Sequence, residues 1–245
     1  VWILVFLYFT VTGIYQNQLN GLRQYMAISV MPCLFILLYN RKYWISAVLV
    51  IFASLCHASF IIVYPFLAFL FIKPTPVRVV TIFFLTGVVY ALILPKLLPL
   101  LVELLFGSYL GYFESKLSAS ANLFSLITKL YYAPLILLSM HCYYQDVNKG
   151  LYNKNHDMLM SFFMIAAATY WLFVVNLYFG FFGRVAQYFM IFYIFPMYYL
   201  IDRYIERKKV YSVVIIFAYI LIPYILKVTV LATSEYDYQS ILSGF

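Results

Sequence analysis

Apolar residues fall in long runs separated by short polar knots. The runs are Val1–Thr12, Leu22–Tyr39, Tyr43–Ile72, Val77–Leu94, Leu123–Cys142, Met158–Tyr178, Arg184–Ile201 and Val210–Leu231. Most approach the roughly 20 residues that a helix needs to cross a bilayer. Between them lie Gly13–Asn20, the basic turn Asn40-Arg41-Lys42, Lys73-Pro74-Thr75-Pro76, Tyr143–Asp157, the tight turn Phe179–Gly183 and the basic loop Asp202–Lys209. Pro74 and Pro76 deny continuation of a helix, and Pro32 and Pro134 are read as bends inside their runs. Pro95–Asn122 is mixed: Leu97–Phe106 is apolar enough for an interfacial helix, and the rest is polar. Ala232–Phe245 is a tail.

Tyr43–Ile72 is too long for one crossing and short for two. Charge decides. The loops at Arg41-Lys42, Lys73–Arg78, Lys149–Lys154 and Arg203–Lys209 carry ten of the 16 Lys and Arg. All four fall on one side only if the segment crosses twice, as Trp44–Cys56 and Phe60–Ile72. The positive-inside rule then puts those loops in the cytoplasm. Cys56-His57-Ala58-Ser59 becomes the outer apex of a short hairpin. Each arm of roughly 13 residues rises only about 20 Å, less than the hydrocarbon thickness of about 30 Å. His57 would therefore sit below the outer interface, in a funnel open to water. The expected fold is all-α: a polytopic transmembrane bundle of about nine membrane segments, this hairpin included.

Composition narrows the class. The chain of 245 residues is 66% hydrophobic and 10% charged, against about half and about a quarter in soluble domains. Its 24 Phe and 26 Tyr suit helix–lipid packing and interfacial belts. The formal charge of +8 follows the loops between apolar runs, so topology accounts for it and no nucleic-acid partner is expected. Cys33, Cys56 and Cys142 lie in or beside apolar runs without metal-ligand spacing, and read as small buried hydrophobes. Val1 already stands inside an apolar run with no basic stretch before it, unlike a signal peptide. Residues 1–245 are read as one membrane-embedded domain, lacking N-terminal helices of a longer protein.

Candidate chemistry gathers at the outer ends. Arg23 and Arg184 each begin an apolar helix and each follows a glycine, Gly21 or Gly183. Asn20 and Gln24 flank Arg23; Gln187 and Tyr188 follow Arg184 at i+3 and i+4, on one helix face. One reading has both arginines snorkelling to headgroups. The other has them binding an anion, and two cations placed against the positive-inside bias favour it. Guanidinium meets phosphate through two charge-assisted hydrogen bonds, so a lipid diphosphate is the natural ligand. His57 is the histidine at an outer apex; its imidazole is either a general base or a structural partner within the bundle. His141 and His156 fall at the cytoplasmic end. Asp146, Asp157, Asp202 and Glu206 are read as loop acids, and Glu235-Tyr236-Asp237 as a solvated pair in the tail. No phosphate loop, nucleophile elbow or H-E-x-x-H motif occurs.

Leu19-Asn20-Gly21-Leu22-Arg23-Gln24-Tyr25-Met26-Ala27 resembles the N-x-x-R-Q-x-x-A segment of the EpsG-like family, Wzy-type polymerases of bacterial exopolysaccharide, capsule and O-antigen. Arg41-Lys42 followed by Cys56-His57-Ala58-Ser59 is similar to that family's basic turn and H-x-S. Gly183-Arg184-Val185-Ala186-Gln187-Tyr188-Phe189 resembles its later R-x-x-x-Y. The resemblance implies further N-terminal helices and glycosyl transfer at the outer face of the bacterial cytoplasmic (inner) membrane. The implied substrates are oligosaccharide repeat units on undecaprenyl diphosphate, and the implied partners are a chain-length regulator and a flippase. Arg23 and Arg184 would hold the leaving diphosphate in place of a metal. His57 would activate the acceptor hydroxyl, and Asn20, Gln24, Ser59, Gln187 and Tyr188 would line the substrate. No metal or cofactor is expected. Two other classes fit the same residues: a transporter or flippase of a lipid-linked or anionic substrate, and a membrane acyltransferase.

Overall fold

A computed structural model describes residues 2–11, 22–93, 96–97, 100, 127, 130–151, 157–175 and 181–229. Every regular element among them is helical, as the apolar runs require. In chain order these are α1 (Trp2–Thr10), α2 (Leu22–Tyr39), α3 (Tyr43–Cys56), α4 (Pro76–Val88), α5 (Ala133–Asn148), α6 (Asp157–Thr169), α7 (Phe181–Phe189), α8 (Ile194–Glu206) and α9 (Val210–Thr229). A π turn, Val89–Ile93, prolongs α4; Leu172–Val175 follows α6; and a 3-10 turn, Met190–Tyr193, joins α7 to α8. Among the described residues, Asp157–Val175 and Val185–Glu206 are long and apolar enough to cross a bilayer, while α2, α3, α4 and α9 are apolar but shorter.

The core is α6. Every residue from Met160 to Tyr170 is buried, the mark of a helix apolar on all sides. It packs against α4, α8 and the segment before α4. Gly87 is where α4 accepts Trp171: a Cβ there would lie 2.8 Å from the indole, whose nitrogen donates to Phe83 O at 2.7 Å. Outside, α3 exposes Trp44, Ile45, Val48, Ile51 and Leu55, and α9 exposes Tyr211, Val214, Ile215, Ile222 and Ile225. Apolar faces of that extent, on helices whose backbone groups are satisfied internally, suit lipid as the surrounding medium.

Several boundaries differ from the sequence reading. α5 runs through Asn148, where a loop from Tyr143 was expected, and α8 runs through Glu206 rather than ending before Asp202. The reason is a buried ion pair. Asp146 Oδ2 accepts from Arg203 Nε at 2.7 Å and from Tyr199 Oη at 2.7 Å, and Oδ1 accepts from Arg203 Nη2 at 2.9 Å and from Arg207. Arg203 also donates to Gln145 Oε1 and Cys142 Sγ. Polar residues that looked like a solvated loop thus pin α5 to α8. Asp146 lies one turn past the apolar stretch of α5. Burial alone would raise its carboxyl pKa, but the bonds from Arg203 and Tyr199 and the charges of both arginines outweigh burial and hold it below the usual range. The bend expected at Pro134 falls just before it: a turn at Tyr131-Tyr132 follows helical Leu130 and leads into α5, in whose first turn Pro134 stands, where a missing N–H costs nothing. Pro32 lies within an unbroken α2. α7 begins at Phe181, so the expected outer turn through Gly183 is already helical. Of the cysteines, Cys142 is buried and Cys33 is exposed.

The Tyr43–Ile72 segment breaks at His57, as its polar knot suggests. α3 ends at Cys56, and His57 is extended (φ −153°, ψ 115°). The expected second arm is not a regular helix: Ala58–Val63 is 3-10, Tyr64–Leu67 is α and Ala68–Phe71 is 3-10 again. Pro65 stands in the first turn of the short α piece, where its missing N–H costs nothing. A hydrogen bond of 2.8 Å between Ser54 Oγ and Tyr64 Oη ties the arm to α3 across the break.

The basic turns share one end of the bundle. Tyr143 Oη donates to Pro74 O, Asp146 joins Arg203 and Arg207, and Phe35 meets Phe162 with centroids 6.3 Å apart. These contacts bring the turns after α2, before α4, after α5 and after α8 together, as the charge count anticipates. The three helices that end there close alike. After α2, Arg41 N and Lys42 N donate to Leu38 O and Leu37 O; after α5, Gly150 N and Leu151 N to Val147 O and Asp146 O; after α8, Lys208 N and Lys209 N to Ile205 O and Tyr204 O. Each is a Schellman cap with its turning residue left-handed: Arg41 at φ 58°, Gly150 at φ 66° and Lys208 at φ 55°. An L-residue pays roughly 1–2 kcal/mol for that conformation and glycine pays none.

Candidate active site

The site is built at the end of α3, away from the basic turns. His57 N donates to Ala53 O and closes α3; His57 O then accepts from Phe60 N and opens the 3-10 turn. Held on both sides by the backbone, the half-buried imidazole projects from the break. Its Nδ1 lies 3.0 Å from Tyr188 Oη on α7, across 131 residues of sequence. Tyr188 is fully buried, and Phe60 stands edge-on to its ring at 5.8 Å. Phe66 packs on Phe189 at 4.6 Å. Apolar rings thus fix the phenol, and the phenol fixes the imidazole.

α7 packs against both α2 and the 3-10 turn after His57. Arg23, the second residue of α2, is exposed, and Gln24 beside it is buried. α2 and α3 form a hairpin about the Arg41 turn. Counting about 1.5 Å per residue from that turn, Tyr25 stands level with His57, and Arg23 about 3 Å farther out. Arg184 lies one turn before Tyr188 on α7. Three elements bearing His57, Arg23 and Arg184 therefore meet at one end of the bundle.

Two protonation patterns satisfy the His57–Tyr188 contact. Either the phenol donates to Nδ1, or Nδ1–H donates to the phenol and Nε2 carries the lone pair of the ring.

The EpsG family model matches residues 2–240, nearly the whole chain. The chain belongs to the EpsG family. That family is one of Wzy-like polymerases, so this EpsG chain is a membrane polymerase of exopolysaccharide type, a glycosyltransferase-like enzyme whose substrate class is lipid-linked oligosaccharide. No curated protein and no solved structure matches it.

Among the residues singled out in the EpsG chain, His57 and Tyr188 are in contact; Gln187, beside Tyr188, is half-buried. Asn20 lies outside the described residues, and of Ser59 and Arg184 the backbone alone is described, in the 3-10 turn and in α7. Tyr188 has no surface to offer a substrate, contrary to a place in its lining. Phe60, which holds Tyr188, was not anticipated; an aromatic three residues after a histidine carries no signal in a chain so rich in aromatics.

Proposed function

We propose that this EpsG polymerase joins oligosaccharide repeat units carried on undecaprenyl diphosphate, at the outer face of the bacterial cytoplasmic membrane. In this reading the chain crosses the membrane about nine times with its basic turns in the cytoplasm. Trp44 and Tyr211, both almost wholly exposed beside those turns, mark the inner interface. The observation that carries the proposal is the His57–Tyr188 contact, which holds an imidazole at the opposite end, level with the start of α2.

His57 donates Nδ1–H to Tyr188 and takes the acceptor hydroxyl proton at Nε2. The freed oxygen bonds to the anomeric carbon of the donor unit as the bond from that carbon to diphosphate breaks. Undecaprenyl diphosphate leaves with the electron pair, and Arg23 and Arg184 stabilise the charge that grows on it, without a metal. Tyr188 is a positioning residue, not a substrate ligand. Gln187, Ser59 and Asn20 lie near enough in sequence to these groups to contact the sugar, while Gln24 is buried beside Arg23. A flippase and a chain-length regulator would work beside it in the same membrane.

Purified protein in vesicles supplied with lipid-linked repeat units is expected to make longer glycans; movement of the units across the bilayer without lengthening would favour a flippase instead. In the same assay Arg184→Lys keeps the charge and loses the planar fork. A charge-assisted hydrogen bond of about 1.5–3 kcal/mol corresponds to roughly a ten- to hundredfold loss of rate, and wild-type rate in that variant would remove Arg184 from the site. For orientation, a cysteine at Ser59 is expected to react with an impermeant thiol reagent added outside intact cells. Reaction only after permeabilisation would overturn the outer placement of His57.

A further inference from the structure

The caps after α2 and α8 are the same small module. In each, a left-handed cation is followed by a second cation, and an aromatic residue comes three positions after the first: Arg41-Lys42-Tyr43-Trp44 and Lys208-Lys209-Val210-Tyr211. All four cations are exposed, and Trp44 and Tyr211 are 89% and 88% exposed. Both modules sit at the basic end, each at the start of a helix whose outer side is apolar and exposed. Glycine relieves the strained position at the third cap, Gly150, where no aromatic follows three residues on.

At Arg41 and Lys208 the chain keeps a strained cation where glycine would turn at no cost. Helix C-termini favour positive charge, but Lys42 and Lys209 already supply it one residue later. In the chain each strained position stands between the end of its helix and, three residues on, an exposed aromatic residue of the kind that settles at headgroup depth. Planar or ammonium donors at that depth meet the phosphates of an anionic leaflet. We infer that these two caps are binding sites for the headgroups of anionic phospholipid, which hold the basic end of the bundle at its depth in the membrane. The inference is independent of the polymerase mechanism, since both caps lie at the end away from His57.

Trp44 is a built-in reporter for the first cap, and Tyr211→Trp carries the same probe to the second. The full chain is reconstituted in phosphatidylcholine with brominated phosphatidylglycerol, or the reverse, and quenching of the reporter gives the local preference for the anionic lipid. Emission lost on Trp44→Phe identifies the first signal. Arg41→Gly and Lys208→Gly are each expected to lower that preference about fivefold, the equivalent of about 1 kcal/mol per surface cation. Both should leave thermal stability in phosphatidylcholine alone unchanged or raised, because the backbone strain is gone. Arg41→Lys and Lys208→Arg should keep the wild-type preference. Glycine variants that retain the full preference would overturn the inference. So would glycine variants that lose stability in phosphatidylcholine, since the side chains would then be serving a contact within the protein.

Discussion

His57→Ala is expected to lower polymerisation by about a hundred- to ten-thousandfold, the range that a positioned acid or base contributes, with protein in the membrane at wild-type level. The imidazole stands at a break where its removal takes no apolar packing from α3, so folding should survive. Tyr188→Phe sharpens the test. Phenylalanine fills the same buried space and keeps the edge-on contact with Phe60, so it removes little besides the hydroxyl at 3.0 Å from Nδ1. Its expected cost is about tenfold, one hydrogen bond to a group that becomes charged. In a His57→Ala background the same change should cost nothing further, because the phenol would have no imidazole to orient. Glycan of normal length and amount from His57→Ala would end the catalytic assignment. Additive losses in the double variant would make Tyr188 a packing residue.

The second large effect is on stability. Asp146→Ala leaves Arg203, 6% exposed, as a buried cation with its partner gone, and about 3–5 kcal/mol of stability should go with it. Arg207 is 32% exposed, so Arg207→Ala should cost at most about 1 kcal/mol. Thermal unfolding in detergent reads both, and equal losses would mean that the pin between α5 and α8 is not the Arg203 pair. Acid should act in the same direction. Because the folded carboxyl titrates below its ordinary value of 3.8, its contribution is complete above about pH 4 and disappears as pH falls through the lower folded value.

These two clusters show how far the chain could be read in advance. The polar knot Cys56–Ser59 interrupts an apolar run, and the break fell there. Arg184, Gln187 and Tyr188 share a helix face by spacing alone, and that face reaches the site through Tyr188. The partner of Tyr188 was not legible, because nothing local links positions 131 residues apart. Asp146 misled for a related reason: a buried ion pair and a solvated loop are written with the same residues, and only the arrival of Arg203 from α8 distinguishes them. The two left-handed caps were hidden too, since Arg-Lys after an apolar run reads as charge and gives no sign of backbone shape.

The arm after His57 has a consequence in length. Six residues of 3-10, four of α and four more of 3-10 make up Ala58–Phe71. A 3-10 turn climbs about 2.0 Å per residue where an α turn climbs about 1.5 Å, so this arm reaches about 26 Å instead of about 21 Å. The same reach wound wholly as α would take about seventeen residues. The chain draws its returning arm thin rather than adding to it, and so outreaches α3 with the same number of residues.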